Sequence, residues 1–326
     1  MKNCHKLIFV NLIFLLLVNS LVACKTKETQ IIKVGVAIYR FDDNFMSMYR
    51  AELEDYFIEL SDETVNYEYE IVDSNFDQDT QNSQIDAFIS RGVDVMIINL
   101  VENSAASTVV KKAKNGNVPI VLINREPENR DDMNIWPGKE CYVGSDARDS
   151  GTYMGEIVME LPDCGDLNHN GIIDYIMLIG DPENTDAQFR TEYSITAIEN
   201  AGIKVHEYGS KVCNWMQDEA EPYVAQFLAT NKKGTIDVIF SNNDAMAIGA
   251  LRSLKAAGYE VGKDVYLIGV DAIPEAIIAI EVGEMTGTVL NDHYNQARKA
   301  IDVATLLANG EEVVPYYWVD YRKILQ

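Results

Sequence analysis

The chain has 326 residues, 47% of them hydrophobic. That is too apolar for a disordered chain and too long for one ordinary core, whereas two lobes fit. Its 27 basic and 51 acidic residues give a net charge of −24 at pH 7, which repels phosphate backbones, excludes nucleic acid as a partner and predicts a soluble monomer.

In chain order, the first residues read as an export signal. Lys2 and Lys6 supply a positive start to an apolar run from Leu7 to Val18, followed by Leu21-Val22-Ala23-Cys24 and a polar stretch over 25–30. The run is shorter than the ~20 residues a bilayer crossing needs, so 1–23 reads as a cleaved signal rather than an anchor helix. The Leu-x-Ala-Cys ending resembles the bacterial lipobox. That resemblance implies cleavage before Cys24, lipidation at Cys24 and a lipidated tether over 24–30. The chain is then exported, either held at the outer face of the cell membrane by lipid alone or periplasmic.

Beyond the tether, short apolar runs rich in β-branched residues alternate with longer amphipathic stretches. The runs lie at 31–39, 65–73, 93–101, 118–124, 172–180, 236–242, 265–271 and 286–291. Helical patterns lie near 45–60, 80–91, 104–115, 147–161, 186–201, 217–229, 245–257, 274–281 and 295–308. Runs apolar almost throughout suit parallel strands covered on both faces, and the alternation predicts a parallel α/β fold. Polar or aromatic residues gather where the runs end: Tyr39 and Asp43, Asn99, Asn124, Asn242 to Asp244, Asp271 and Asn291. Ligands of open α/β sheets sit beyond the carboxyl ends of the strands, so two such sheets facing each other would line one cleft.

Several chemistries are absent. Neither G-x-G-x-x-G nor G-x-x-x-x-G-K-[ST] occurs, so dinucleotide and nucleotide sites lack their phosphate loops. After Cys24 only Cys141, Cys164 and Cys213 remain, with no C-x-x-C pair, so zinc and thioredoxin chemistry fail on spacing. His5, His206 and His293 form no triad with Ser or Cys, and the chain reads as a non-enzyme.

A neutral sugar presents hydroxyls around a ring with apolar C–H faces. Its site needs Asp, Asn and Arg at the ring edge and flat aromatics on the faces. A buried polar group left unpaired costs ~1–3 kcal/mol, which makes such a site selective. The strand ends carry this inventory. Segments 39–47 (YRFDDNFMS), 98–101 (INLV), 186–190 (DAQFR), 241–247 (SNNDAMA), 269–276 (GVDAIPEA) and 287–292 (GTVLND) resemble, in order, blocks of the bacterial galactose/glucose-binding proteins. That family supplies sugar to ABC importers on a type I periplasmic-binding-protein fold.

The resemblance implies an α/β protein of two doubly wound parallel-sheet lobes joined by a three-segment hinge. Residues 31–122 and 293–312 would form the N-terminal lobe, and 123–292 and 313–326 the C-terminal lobe. The ligand would be D-galactose or D-glucose, and the partners ABC permease subunits. A sensing role toward a chemoreceptor, or another monosaccharide, would use the same residues. Phe45 and Trp215 would sandwich the pyranose. Asp43 would accept from a ring hydroxyl, and Asn99 would sit near the hydroxymethyl end. Asp186 and Arg190 would hold the anomeric side. Asn243, Asp271 and Asn291 would hold the remaining hydroxyls, with Tyr39 on the rim. Asn184 stands where the family has His, keeping a donor and an acceptor but losing the ring and its titration. Taken singly, each Asp or Asn reads as a cap or turn and each aromatic as core; their joint appearance reads as a site.

A second constellation runs from Asp166 to Asp174. Asp166, Asn168, Asn170 and Asp174 stand at positions 1, 3, 5 and 9, with Gly171 at 6, like the first part of an EF-hand loop. Met177 occupies position 12, which excludes an isolated EF-hand. The family resemblance implies closure by a distant acidic residue, here Asp237, with Ile172 giving its backbone carbonyl. Ca2+ is therefore expected on these six residues; the metal-free alternative is a turn rich in Asx residues.

Overall fold

The computed structural model describes residues 29–325. The signal at 1–23, the lipidation at Cys24 and most of the tether lie outside the described residues. The tether also ends earlier than expected, because Gln30 already opens the first strand.

The first lobe is built from β1 (Gln30–Ile38), α1 (Asn44–Leu60), β2 (Val65–Asp73), α2 (Gln78–Arg91), β3 (Val95–Ile98), α3 (Ala106–Gly116), β4 (Ile120–Ile123) and β5 (Glu140–Gly144). The second holds α4 (Ala147–Glu160), β6 (Ile173–Ile179), α5 (Thr185–Asn200), β7 (Val205–Val212), α6 (Gln217–Thr230), β8 (Val238–Ser241), α7 (Asp244–Ala256), β9 (Tyr266–Val270), α8 (Pro274–Glu281) and β10 (Gly287–Leu290). Helix α9 (His293–Ala308) returns to pack on α1, and β11 (Tyr316–Trp318) and β12 (Arg322–Leu325) end the described chain.

The two six-stranded sheets have the orders β11-β5-β4-β3-β1-β2 and β12-β10-β9-β8-β6-β7. Pairing is parallel throughout except between β10 and β12. In each sheet the chain winds outward on both sides of its first strand, the doubly wound α/β arrangement expected. Strands β3, β4, β8 and β9 are buried at every position. Helices on both faces remove them from water, which is why they read as unbroken apolar runs.

The lobe boundaries need correction. The first crossing falls at 145–146 and not after 122, because β5 pairs with β4 (Ile120 against Glu140) and adds its Cys141, Tyr142 and Val143 to the first lobe's core. The C-terminal segment 313–326 does not belong wholly to the second lobe. Its β11 pairs with β5 in the first sheet, and only β12 joins β10 in the second. The crossings therefore lie at 145–146, 291–292 and 319–321. Gln296 ties two of them, its Nε2 donating to Ser145 Oγ at 3.0 Å and Asn291 Oδ1 at 2.6 Å. Cys141 and Cys213 are buried free thiols and Cys164 an exposed one.

Candidate ligand-binding cleft

The carboxyl ends of the two sheets face each other across a small cavity. The first lobe contributes Tyr39, Asp43, Phe45, Met46, Asn124 and Arg125. The second contributes Asn184, Asp186, Arg190, Trp215, Asn243 and Asp271, and Asn291 comes from the middle crossing.

On the first lobe, Asp43 caps α1. Its Oδ1 accepts from the Met46 N–H at 2.7 Å and its Oδ2 from the Tyr39 hydroxyl at 2.6 Å. The cap fixes the carboxylate where the helix dipole favours negative charge. Tyr39 does not sit on the rim as expected but is buried, 2% exposed. Burial and the Asp43 charge push its phenol well above the ordinary value, so it stays a neutral donor. The Arg125 guanidinium stacks 3.8 Å from its ring centroid. Arg125 Nη1 donates to Val101 O at 2.6 Å and approaches Asp181 Oδ2 of the opposite lobe at 3.5 Å, while Nη2 has no partner among the described residues.

On the second lobe, Trp215 follows β7 through two left-handed residues, Asn214 (φ 48°) and Trp215 itself (φ 68°). A Cβ on Gly180 would lie 2.4 Å from the indole, so glycine at the end of β6 lets the ring rest on the strand. Asn184 caps α5 through the Asp186 N–H (2.8 Å) and still lines the cavity. One turn apart, Asp186 Oδ2 and Arg190 Nη2 lie 3.4 Å from each other. Arg190 Nη1 donates to Asn242 O at 2.7 Å and sits 3.7 Å from Asp271 Oδ1. Asp186 Oδ1 and Arg190 Nε have no partner among the described residues. Asn243 caps α7 through the Met246 N–H (3.0 Å) and donates to Trp215 O (3.3 Å); Asn291 donates to Asp271 Oδ1 (3.3 Å).

Burial dominates the titration of the two carboxyls. It pushes Asp271 up to about 7 against the pull of Arg190, and Asp186 up to about 6 against the same guanidinium. Burial lowers the Arg190 pKa, but Tyr321, Asp271 and Asp186 outweigh it and the net shift is upward, so Arg190 remains a cation.

Asn99 is the one predicted sugar residue outside the cavity lining. Its Oδ1 accepts from the Tyr39 N–H (3.3 Å), and its Nδ2 donates to Ile123 O (3.1 Å) and Asn124 Oδ1 (3.2 Å). A fully buried amide spent on strand ends braces the wall rather than reading a ligand. Asn124, left-handed at φ 60°, lines the cavity instead. Its signal was legible, since it closes the fourth apolar run. Arg125 and Met46 carried no such mark.

Residues 34–312 match the periplasmic binding protein domain. The chain belongs to the periplasmic binding protein family. It is 36% identical over 282 residues to the D-galactose/methyl-galactoside binding periplasmic protein MglB of Haemophilus influenzae, covering 86% of this chain and 82% of that protein. It is 29% identical over 303 residues to the D-xylose-binding periplasmic protein of Escherichia coli, covering 91% and 83%. An ABC transporter solute binding protein from Bacillus halodurans with bound myo-inositol superposes with a TM-score of 0.78 at 25% identity, covering 93% of this chain and 96% of that one. This periplasmic binding protein is therefore an exported binding protein and not an enzyme.

The periplasmic binding protein also carries the Asx-rich loop. His169 (φ 56°) and Gly171 (φ 85°) make its sharp turn. Asp166 Oδ2 accepts from the Gly171 N–H at 2.8 Å, and the buried Asp237 accepts from the N–H groups of Asn168 (3.0 Å) and Asp174 (2.9 Å). Asn168 Nδ2 donates to Asp174 Oδ2 (3.1 Å) and Asp237 Oδ2 (3.2 Å), and Asn170 Nδ2 to Asp174 Oδ2 (2.7 Å). The loop thus brings the predicted residues to one locus, with amide nitrogens turned to the carboxylates. No group of three or more His, Cys, Asp or Glu stands close enough to hold a metal among the described residues. The residue types are nonetheless those from which a hard cation takes its oxygens. Three carboxylates, two amide oxygens and the Ile172 carbonyl would make six oxygens, and burial already holds the Asp237 carboxyl above its ordinary range.

Proposed function

We propose that this protein captures a neutral hexose, galactose or glucose, and hands it to an ABC permease. The observation that carries the reading is that two flat rings, Phe45 from one lobe and Trp215 from the other, line one cavity together with a buried polar set. Within that set Asp186 Oδ1, Arg190 Nε and Arg125 Nη2 lack partners among the described residues. Hydroxyls supply both donors and acceptors, so a neutral polyol satisfies the mixed set without adding charge. The names of the Haemophilus and Escherichia relatives, and the myo-inositol in the Bacillus structure, support a ligand of this class.

Calorimetric titration against aldohexoses, pentoses and inositols tests the reading, with tightest binding expected for galactose or glucose. Trp215→Ala should weaken that binding by about 2 kcal/mol or more, the scale of a buried aromatic anchor, which is ~30-fold in Kd. Unchanged affinity in the variant, or a wild type that binds none of these sugars, would sink it. We further propose that Asp166, Asn168, Asn170, Ile172, Asp174 and Asp237 hold Ca2+ as a structural brace, and that Cys24 carries a lipid anchor.

A further inference from the structure

Behind the second-lobe wall lies a carboxyl that is not among the cavity-lining residues. Asp244 opens α7 directly after the cavity-lining Asn243 and is fully buried. Its Oδ1 accepts from the Thr288 hydroxyl on β10 at 2.7 Å, and its Oδ2 from the Ile273 N–H at 3.0 Å. A Cβ on Gly269 of β9 would fall 2.1 Å from Oδ1, so the carboxyl lies directly on that strand. Burial and the nearby Asp271 charge hold it well above the ordinary carboxyl range. A buried carboxyl of this kind is expensive, and an apolar side chain would pack the site without the cost.

What it touches gives the cost a purpose. Between β9 and Ile273 stand Asp271 (φ 118°) and Ala272 (φ 57°), two successive non-glycine residues with left-handed backbones. Each such residue costs on the order of 1–3 kcal/mol and persists only where its surroundings hold it. This turn carries the Asp271 carboxylate to Arg190 and Asn291 in the cavity wall.

We propose that Asp244 is a positioning residue for ligand binding: its carboxyl ties the strained Asp271–Ala272 turn to β10 and so keeps Asp271 aimed into the cleft. This rests on the sugar-binding reading above. Asp244→Ala should weaken hexose binding ~10-fold or more, the scale of one lost hydrogen bond. Asp244→Asn, which can still accept from the Ile273 N–H and pair with the Thr288 hydroxyl, should stay within ~3-fold. Adding Ala272→Gly to the Asp244→Ala variant should restore affinity, because glycine adopts a positive φ without strain. Leu254→Ala, a buried position on the same helix, should lower stability without changing affinity. If Asp244→Ala fails to fold, Thr288→Val reads the same tie and should lose affinity by a few-fold. Affinity unchanged in the first folded variant of this series, or no rescue by Ala272→Gly, overturns the assignment while leaving the sugar reading intact. A wild type that binds no hexose defeats the reading itself.

Discussion

Asp271 and Asp186 share one guanidinium inside a closed wall, and their protonation is set by burial. Their folded-state values of about 7 and about 6 stand above the ~3.9 of an unfolded Asp. The folded chain therefore binds protons that the unfolded chain has released. The stability so gained is complete below ~4 and is lost as pH rises through 6 to 7. Asp271→Asn removes one such group. The ligand-free melting temperature of that variant, relative to wild type, should rise as pH is taken from about 4.5 to 7.5; a constant difference would refute the assignment. At this scale the residue types at strand ends were readable from the sequence. Asn99 and Asn124 show the limit. Both close strands with the same amide, and the left-handed backbone of Asn124 separates ligand wall from brace.

Helix ends do double service in this cleft. Asp43, Asn184 and Asn243 each cap a helix and each line the cavity. Asn184→Ala should cost about 1 kcal/mol of stability through the lost cap, read by denaturant unfolding. Asn184→His should shift hexose preference if the side chain also reads the sugar. The Asx-rich loop is the second element with a testable role. Asp237→Ala should lower the melting temperature measured in calcium and abolish the difference between calcium and chelator; a variant that keeps that difference would rule out the site. All nine expected helices formed, because each carries its own apolar periodicity. Strands β5 and β7 escaped notice. The β7 strand is an edge with mostly exposed or half-buried residues and so has no apolar run, and β5 opens on the charged Glu140 and closes on Gly144, leaving only three apolar residues together.

Direct contacts bridge the lobes beside the cavity. Arg40 Nη2 donates to Asn214 O at 3.2 Å, and Asn103 Nδ2 to Thr185 Oγ1 at 3.0 Å. Neither Arg40 nor Asn103 lines the cavity. Each stabilises only the arrangement in which the lobes meet, so each sets the fraction of molecules competent to bind. Arg40→Ala should weaken apparent sugar affinity by up to ~10-fold, the worth of one such bond, and enlarge the ligand-free radius of gyration in X-ray scattering. A lower affinity with no change in radius would place the effect elsewhere.

Local pattern by itself determined the strand–helix alternation, the polar strand ends and the exclusion of phosphate-binding loops, because each is written in neighbouring residues. Tertiary structure decided the partners: which sheet takes β5 and β11, where the chain crosses between lobes, and which asparagine faces the cavity. Those outcomes turn on hydrogen bonds between segments far apart in the chain, and no short window of sequence contains both ends of such a bond.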